Sequence, residues 1–116
     1  MNIEVIRSEL PELDYETGLA YCADDPEFFE ELLEEYAQGR YDELCNAYAE
    51  QNWTQYEIEV HSLKSTSRTV GFTSFGDVCE SMQKAAGIPD VDYIIANHAA
   101  LAAEYRRYLD VIRANS

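Results

Sequence analysis

The chain is predicted to be all-α, an antiparallel four-helix bundle with one or two short extra helices at its N-terminus. Three observations predict it. Apolar residues recur at steps of three and four along most of the 116 residues, and no segment shows the period-two alternation of a half-buried strand. Helix start signals precede the apolar runs, and glycine or proline follows several of them. The length is enough for one real hydrophobic core without disulfide or metal support. With no internal repeat and no long linker, residues 1–116 are read as a single domain.

The elements follow in order. A short helix is expected over residues 2–10, ending at Pro11, and a second over 14–22. Asp25-Pro26-Glu27 then supplies an N-cap carboxylate, a proline in the first turn and an acid beside the positive helix end. Phe29, Leu32, Leu33, Tyr36 and Ala37 follow at helical spacing. Gly39 weakens this helix but need not end it, since Tyr41, Leu44, Cys45 and Tyr48 carry the spacing on. Asn52, with Gln55 three residues later, opens the next helix, which runs to about Gly71. Thr73 or Ser74 is expected to cap a further helix through Val78, Cys79 and Met82, stopping at Gly87-Ile88-Pro89. Asp90 caps the last, where Val91, Ile94, His98, Leu101, Tyr105, Tyr108 and Ile112 form a seam suited to antiparallel packing.

Composition narrows the function classes. Hydrophobic residues make up 47% and charged residues 27%, ordinary for a globular chain and too apolar for disorder. The net charge of −15 opposes binding to nucleic acid or to an anionic membrane, both of which reward basic patches. No apolar run approaches the roughly 18 residues that a membrane span needs, and MNIEVIRSEL lacks the apolar region of a signal peptide. Cys22, Cys45 and Cys79 stand far apart with no C-x-x-C pair, so buried thiols in a reducing cytoplasm are expected.

One stretch, YEIEVHSLKSTSRTVGF at 56–72, gathers a histidine and two of only eight basic residues. At about 100° per residue, Tyr56, Val60, Leu63, Ser67 and Val70 form a core stripe roughly opposite His61. Lys64, Ser65 and Arg68 lie within about 60° of His61, as neighbours at i+3, i+4 and i+7 do. His61 is therefore expected on an exposed face, whereas His98 falls in the core seam of the last helix. Near pH 7 a largely neutral imidazole is a good nucleophile toward phosphorus. Lys64, one turn away, would compensate the charge of a phosphoryl group, with Arg68 helping from further off. Ile58, apolar on an otherwise wet face, is a candidate docking contact, and Ser65 is small enough to admit a partner surface.

HSLKSTSRTVG at 61–71 resembles the signature of histidine-containing phosphotransfer (HPt) domains, roughly H-x-L-K-G-S-[SA]-x-x-[apolar]-G. His61, Leu63, Lys64, Ser67, Val70 and Gly71 match it. Asn52-Trp53 looks like the G-D-W helix start common upstream, and DYETGLAYCADDPEFFEELLEEY is similar to the usual opening segment. The likeness covers about residues 12–113. Ser65 and Thr66 replace Gly and Ser of the pattern, and Phe72 is bulkier than the alanine often found there.

The resemblance implies a bacterial-type two-component phosphorelay protein. In it, His61 accepts a phosphoryl group from a phospho-aspartyl receiver domain and passes it to another, with Lys64 stabilising the phosphoryl charge. Ile58, Ser65 and Arg68 would meet the partner. The expected partners are response-regulator receiver domains and a hybrid sensor histidine kinase. The chain itself is expected to be monomeric, with no cofactor, no metal and no enzymatic activity of its own; a divalent cation such as Mg comes from the receiver. The alternative is a bundle that docks receivers or other signalling domains without phosphoryl transfer. An autonomous kinase would need a glycine-rich nucleotide loop, which is missing. A helical di-iron site would need Glu three residues before a histidine, where Ile58 and Ile95 stand instead.

Overall fold

The computed structural model describes residues 1–116. It contains seven helices and no strand: α1 (Ile3–Glu9), α2 (Tyr15–Tyr21), α3 (Pro26–Ala37), α4 (Tyr41–Ala49), α5 (Trp53–Val70), α6 (Thr73–Gly87) and α7 (Val91–Ala114). Both α3 and α4 pack on α5 and α7, so together they form one arm of the bundle. Helices α5, α6 and α7 are the other three, and α5 against α6 is the most extensive contact in the molecule. The short α1 lies on α7, and α2 on α3 and α5. None of the helices is long and apolar enough to cross a membrane.

Asp25, Asn52 and Asp90 act as the caps that the sequence predicts, and Asn2 and Asp14 prove to be caps as well. Asn2, Asp14, Asp25, Asn52 and Asp90 each accept a hydrogen bond from a backbone N–H in the first turn of the helix they precede. Two expectations are corrected. Neither Thr73 nor Ser74 caps α6; Phe72 holds the N-cap position with no side-chain bond, because its ring is fully buried and stacks on Tyr108 with centroids 4.0 Å apart. This stack also accounts for a bulky residue where the family pattern often has alanine. The helix that Gly39 need not end does end there, broken into α3 and α4. Gly39 lies against the Tyr105 hydroxyl, and Arg113 from α7 donates through Nε to the Ala37 carbonyl at 2.8 Å, satisfying one of the carbonyls that the break leaves open.

The core stripe expected of α5 is buried in full: Tyr56, Val60, Leu63, Ser67 and Val70. The α7 seam is buried as well, from Ile94 to Ile112, with Val91 half-exposed at its start. Each fully buried large apolar side chain contributes about 1.5–3 kcal/mol. Val78 departs from expectation: it is exposed, and Phe75, Cys79, Met82 and Ala86 carry the apolar face of α6 instead. All three cysteines are free thiols.

His98 is buried at the bundle interior, as its seam position predicts. Its Nδ1 lies 2.7 Å from the Tyr56 hydroxyl, and its ring stacks on Tyr48 at 3.7 Å. Burial pushes its pKa below the ordinary 6.5. The group's contribution to stability is therefore full above pH 6.5 and is lost as the pH falls through the lowered folded value. His98→Phe is expected to cost about 1–3 kcal/mol at pH 8, because the buried Tyr56 hydroxyl loses its partner. In urea unfolding curves the gap between wild type and variant should narrow from pH 8 to pH 5. An equal gap at both pH values would show that His98 is not held neutral.

Candidate functional site

The candidate site lies on the surface of the α5–α6 hairpin, and the turn that joins the two helices determines which residues meet there. Gly71 ends α5 in the left-handed region, at φ +106°. Its N–H donates to the Arg68 carbonyl and that of Phe72 to the Ser67 carbonyl, so the last turn of α5 closes as a Schellman motif. A Cβ at residue 71 would collide with the Asp14 carbonyl, while Asp14 N–H bonds to the Gly71 carbonyl at 2.8 Å. Only glycine meets both demands.

Beyond the turn the two helices run back antiparallel. The Arg68 side chain lies against Gly76, where a Cβ would come within 2.5 Å of its Cγ. Glu57 lies beside Gly87. These two pairs are eleven residues apart on each helix, in opposite senses, so the register holds along the whole hairpin. His61, four residues after Glu57, is level with Gln83, four residues before Gly87.

His61 is exposed, as the wheel predicts, and so are Ile58 at 56% and Ser65; Lys64 is half-buried on the same face. Thus Ile58, His61, Lys64 and Ser65 share one accessible surface. Ser62, Ser65, Thr66 and Thr69 form one wall of an adjoining groove of about 380 Å³ between α5 and the α3–α4 arm, with Leu32, Leu44 and Tyr105 also lining it. The hydroxyls of Thr66 and Thr69 donate to α5 carbonyls one turn back, which leaves this wall smooth.

Arg68 is placed differently from the rest of the group. Its guanidinium is held by Asp77 at 2.9 Å and Glu80 at 3.4 Å on α6, and its stem packs on Gly76. Those two carboxylates, with the Asp77 hydrogen bond foremost, raise its pKa further. Its main visible work is to tie α6 to α5 below His61.

Two features were not foreseen from the sequence. Glu59 is buried, its side chain only 3% exposed, and it pairs with Arg40 at 2.7 Å across to the α3–α4 break. Gln83 stands level with His61 and carries a buried amide oxygen without a hydrogen-bond partner in the protein, an uncommon state for a buried polar atom. Counting equal distances from the turn at Phe72 would have found it, since both His61 and Gln83 lie eleven residues away.

Arg68→Gln is expected to lower stability only slightly, given exposed ion pairs that solvent screens. The double variant with Asp77→Asn should cost little more than Arg68→Gln alone, because both remove the same contact. Strictly additive losses in urea titrations would show that this bridge is not formed in solution.

A model of the Hpt domain family matches residues 26–115. No curated protein and no solved structure matches the chain. The matched span takes in α3 to α7, the complete bundle, and leaves α1 and α2 as additions packed on its side. Domains of this family carry phosphoryl groups on histidine in phosphorelays and interact there with receiver domains. Because the match extends over well more than half of the sequence and over every arm of the bundle, this chain belongs to the Hpt domain family.

Proposed function

We propose that this domain is a phosphoryl carrier in a two-component relay, with His61 as the acceptor. The observation that carries the reading is the exposed imidazole of His61 on a rigid helix, one turn from Lys64, within a chain of this family. A neutral ring nitrogen attacks the phosphorus of a receiver's aspartyl phosphate. The N–P bond forms as the acyl P–O bond breaks, and the aspartate carboxylate leaves on the receiver. The second receiver reverses these steps.

The bundle's share of catalysis is positioning, since a preset imidazole removes the orientational cost of attack. Lys64 offsets the negative charge of the transferred group. The free oxygen of Gln83 supports a positioning role, accepting a hydrogen bond from the protonated ring nitrogen and thereby presenting the other to phosphorus. A divalent cation such as Mg is assigned to the receiver.

Ile58 and Ser65 flank His61 as docking contacts for the receiver, while the ion pairs of Arg68 argue for a supporting role at the edge of that surface. A hybrid sensor histidine kinase upstream, a cytoplasmic location and a monomeric state complete the reading. The buried thiols of Cys22 and Cys79 support a reducing compartment.

Incubation with phosphorylated receivers should place an acid-labile phosphoryl group on the wild type and none on His61→Gln. Lys64→Ala should lower the transfer rate by about tenfold or less, as loss of one partly exposed charge implies. Equal labelling of His61→Gln would overturn the assignment. Receiver binding that survives His61→Ala, with no transfer by any receiver of the source genome, would instead establish the docking module.

A further inference from the structure

We propose that Lys84 on α6 is a second phosphoryl-binding cation, reaching the His61 phosphoryl group from the helix of the hairpin opposite Lys64. The proposal rests on His61 as the phosphorylated residue and adds a group that the family motif around His61 does not contain.

The first observation is the fate of the basic residues. All six arginines are engaged within the fold. Arg7 lies over the Tyr15 ring, Arg40 pairs with Glu59, and Arg68 with Asp77 and Glu80. Arg106 pairs with Asp110, Arg107 with Glu12 and Glu104, and Arg113 donates to the Ala37 carbonyl. The chain's two lysines, Lys64 and Lys84, form no ion pair, although 23 carboxylate residues are present.

The second observation is where those lysines lie. Asp77, Glu80 and Lys84 follow one another on α6 at steps of three and four, so they share one side of the helix. Asp77 and Glu80 on that side reach α5 to hold Arg68. Lys84 therefore stands on the lip that borders α5, next to Gln83 and within one residue of the level of His61, and it is exposed. On the facing lip Glu57, His61, Lys64 and Arg68 follow one another in the same way. The two lysines, neither held by a carboxylate, a ring or a carbonyl, thus flank His61 from two helices, and Glu57 beside them forms no ion pair either.

A phosphoryl group carries about 1.5 to 2 negative charges near neutral pH, more than Lys64 alone offsets. The flexible four-carbon stem of Lys84 suits a charge that comes and goes. Cations on the phosphoryl oxygens hold charge there and oppose its transfer to the bridging nitrogen, which slows spontaneous loss of the group.

Phosphoramidate phosphorylates imidazole without any protein partner: the ring nitrogen bonds to phosphorus as the bond to the amine breaks and ammonia leaves. The lifetime of phospho-His61 made this way can be followed by phosphorus NMR, with His61→Gln identifying the resonance. Lys84→Gln is expected to shorten that lifetime about two- to fivefold at low salt, the size of one partly exposed ion pair. Lys84→Arg should restore it, and 1 M salt should erase most of the difference. A lifetime unchanged in Lys84→Gln overturns the proposal even if receivers still transfer phosphate to His61. Dependence on Lys84 without transfer from any receiver would leave this cation assigned and defeat the relay reading instead.

Discussion

The constraint on which the molecule depends is the Gly71 turn between α5 and α6. The residue must adopt a positive φ, close the last turn of α5 and lie against the backbone of Asp14. Those demands leave room for hydrogen alone at its Cα. Because the following helix starts at once, the turn sets the antiparallel register, and the register decides which α6 side chains stand beside His61. A single backbone conformation ten residues away thus determines the surroundings of the His61 imidazole.

Charge is distributed with the same division of labour. Arginine, planar and multiply donating, is used to pin elements together: α3–α4 to α5 through Glu59, α6 to α5 through Asp77 and Glu80, α1 and its loop to α7 through Glu12. Lysine is kept out of such pairs. On a chain of net charge −15, the hairpin surface around His61 carries both lysines, neither of them in an ion pair. In the proposed relay, a receiver's acidic phosphorylation site would meet an attractive field there and a repulsive one over the acidic surface, which would favour docking in the productive orientation.

The helical architecture and the exposed histidine were legible in the sequence because both follow from spacing. The buried stripe of α5 could be read residue by residue, and the same wheel that turned Val60 inward turned His61 outward. Three-dimensional partners were less accessible. The break at Gly39 depends on Tyr105 and Arg113, distant in sequence, and the absent cap at Thr73 depends on Phe72 stacking with Tyr108. Arg68 looked available as a helix neighbour of His61, but its length lets it choose carboxylates on α6. Gln83 lay beyond any single-helix analysis, since its relation to His61 exists only across the hairpin.

In the proposed relay the phosphoryl group sits on an imidazole nitrogen of His61. The most direct measurement is a phosphorus–nitrogen coupling in 15N-labelled protein phosphorylated by a receiver. A coupling to one ring nitrogen of His61, with the His98 resonances undisturbed, is the result expected. A phosphoryl signal coupled to His98, or one with no nitrogen coupling at all, would contradict it.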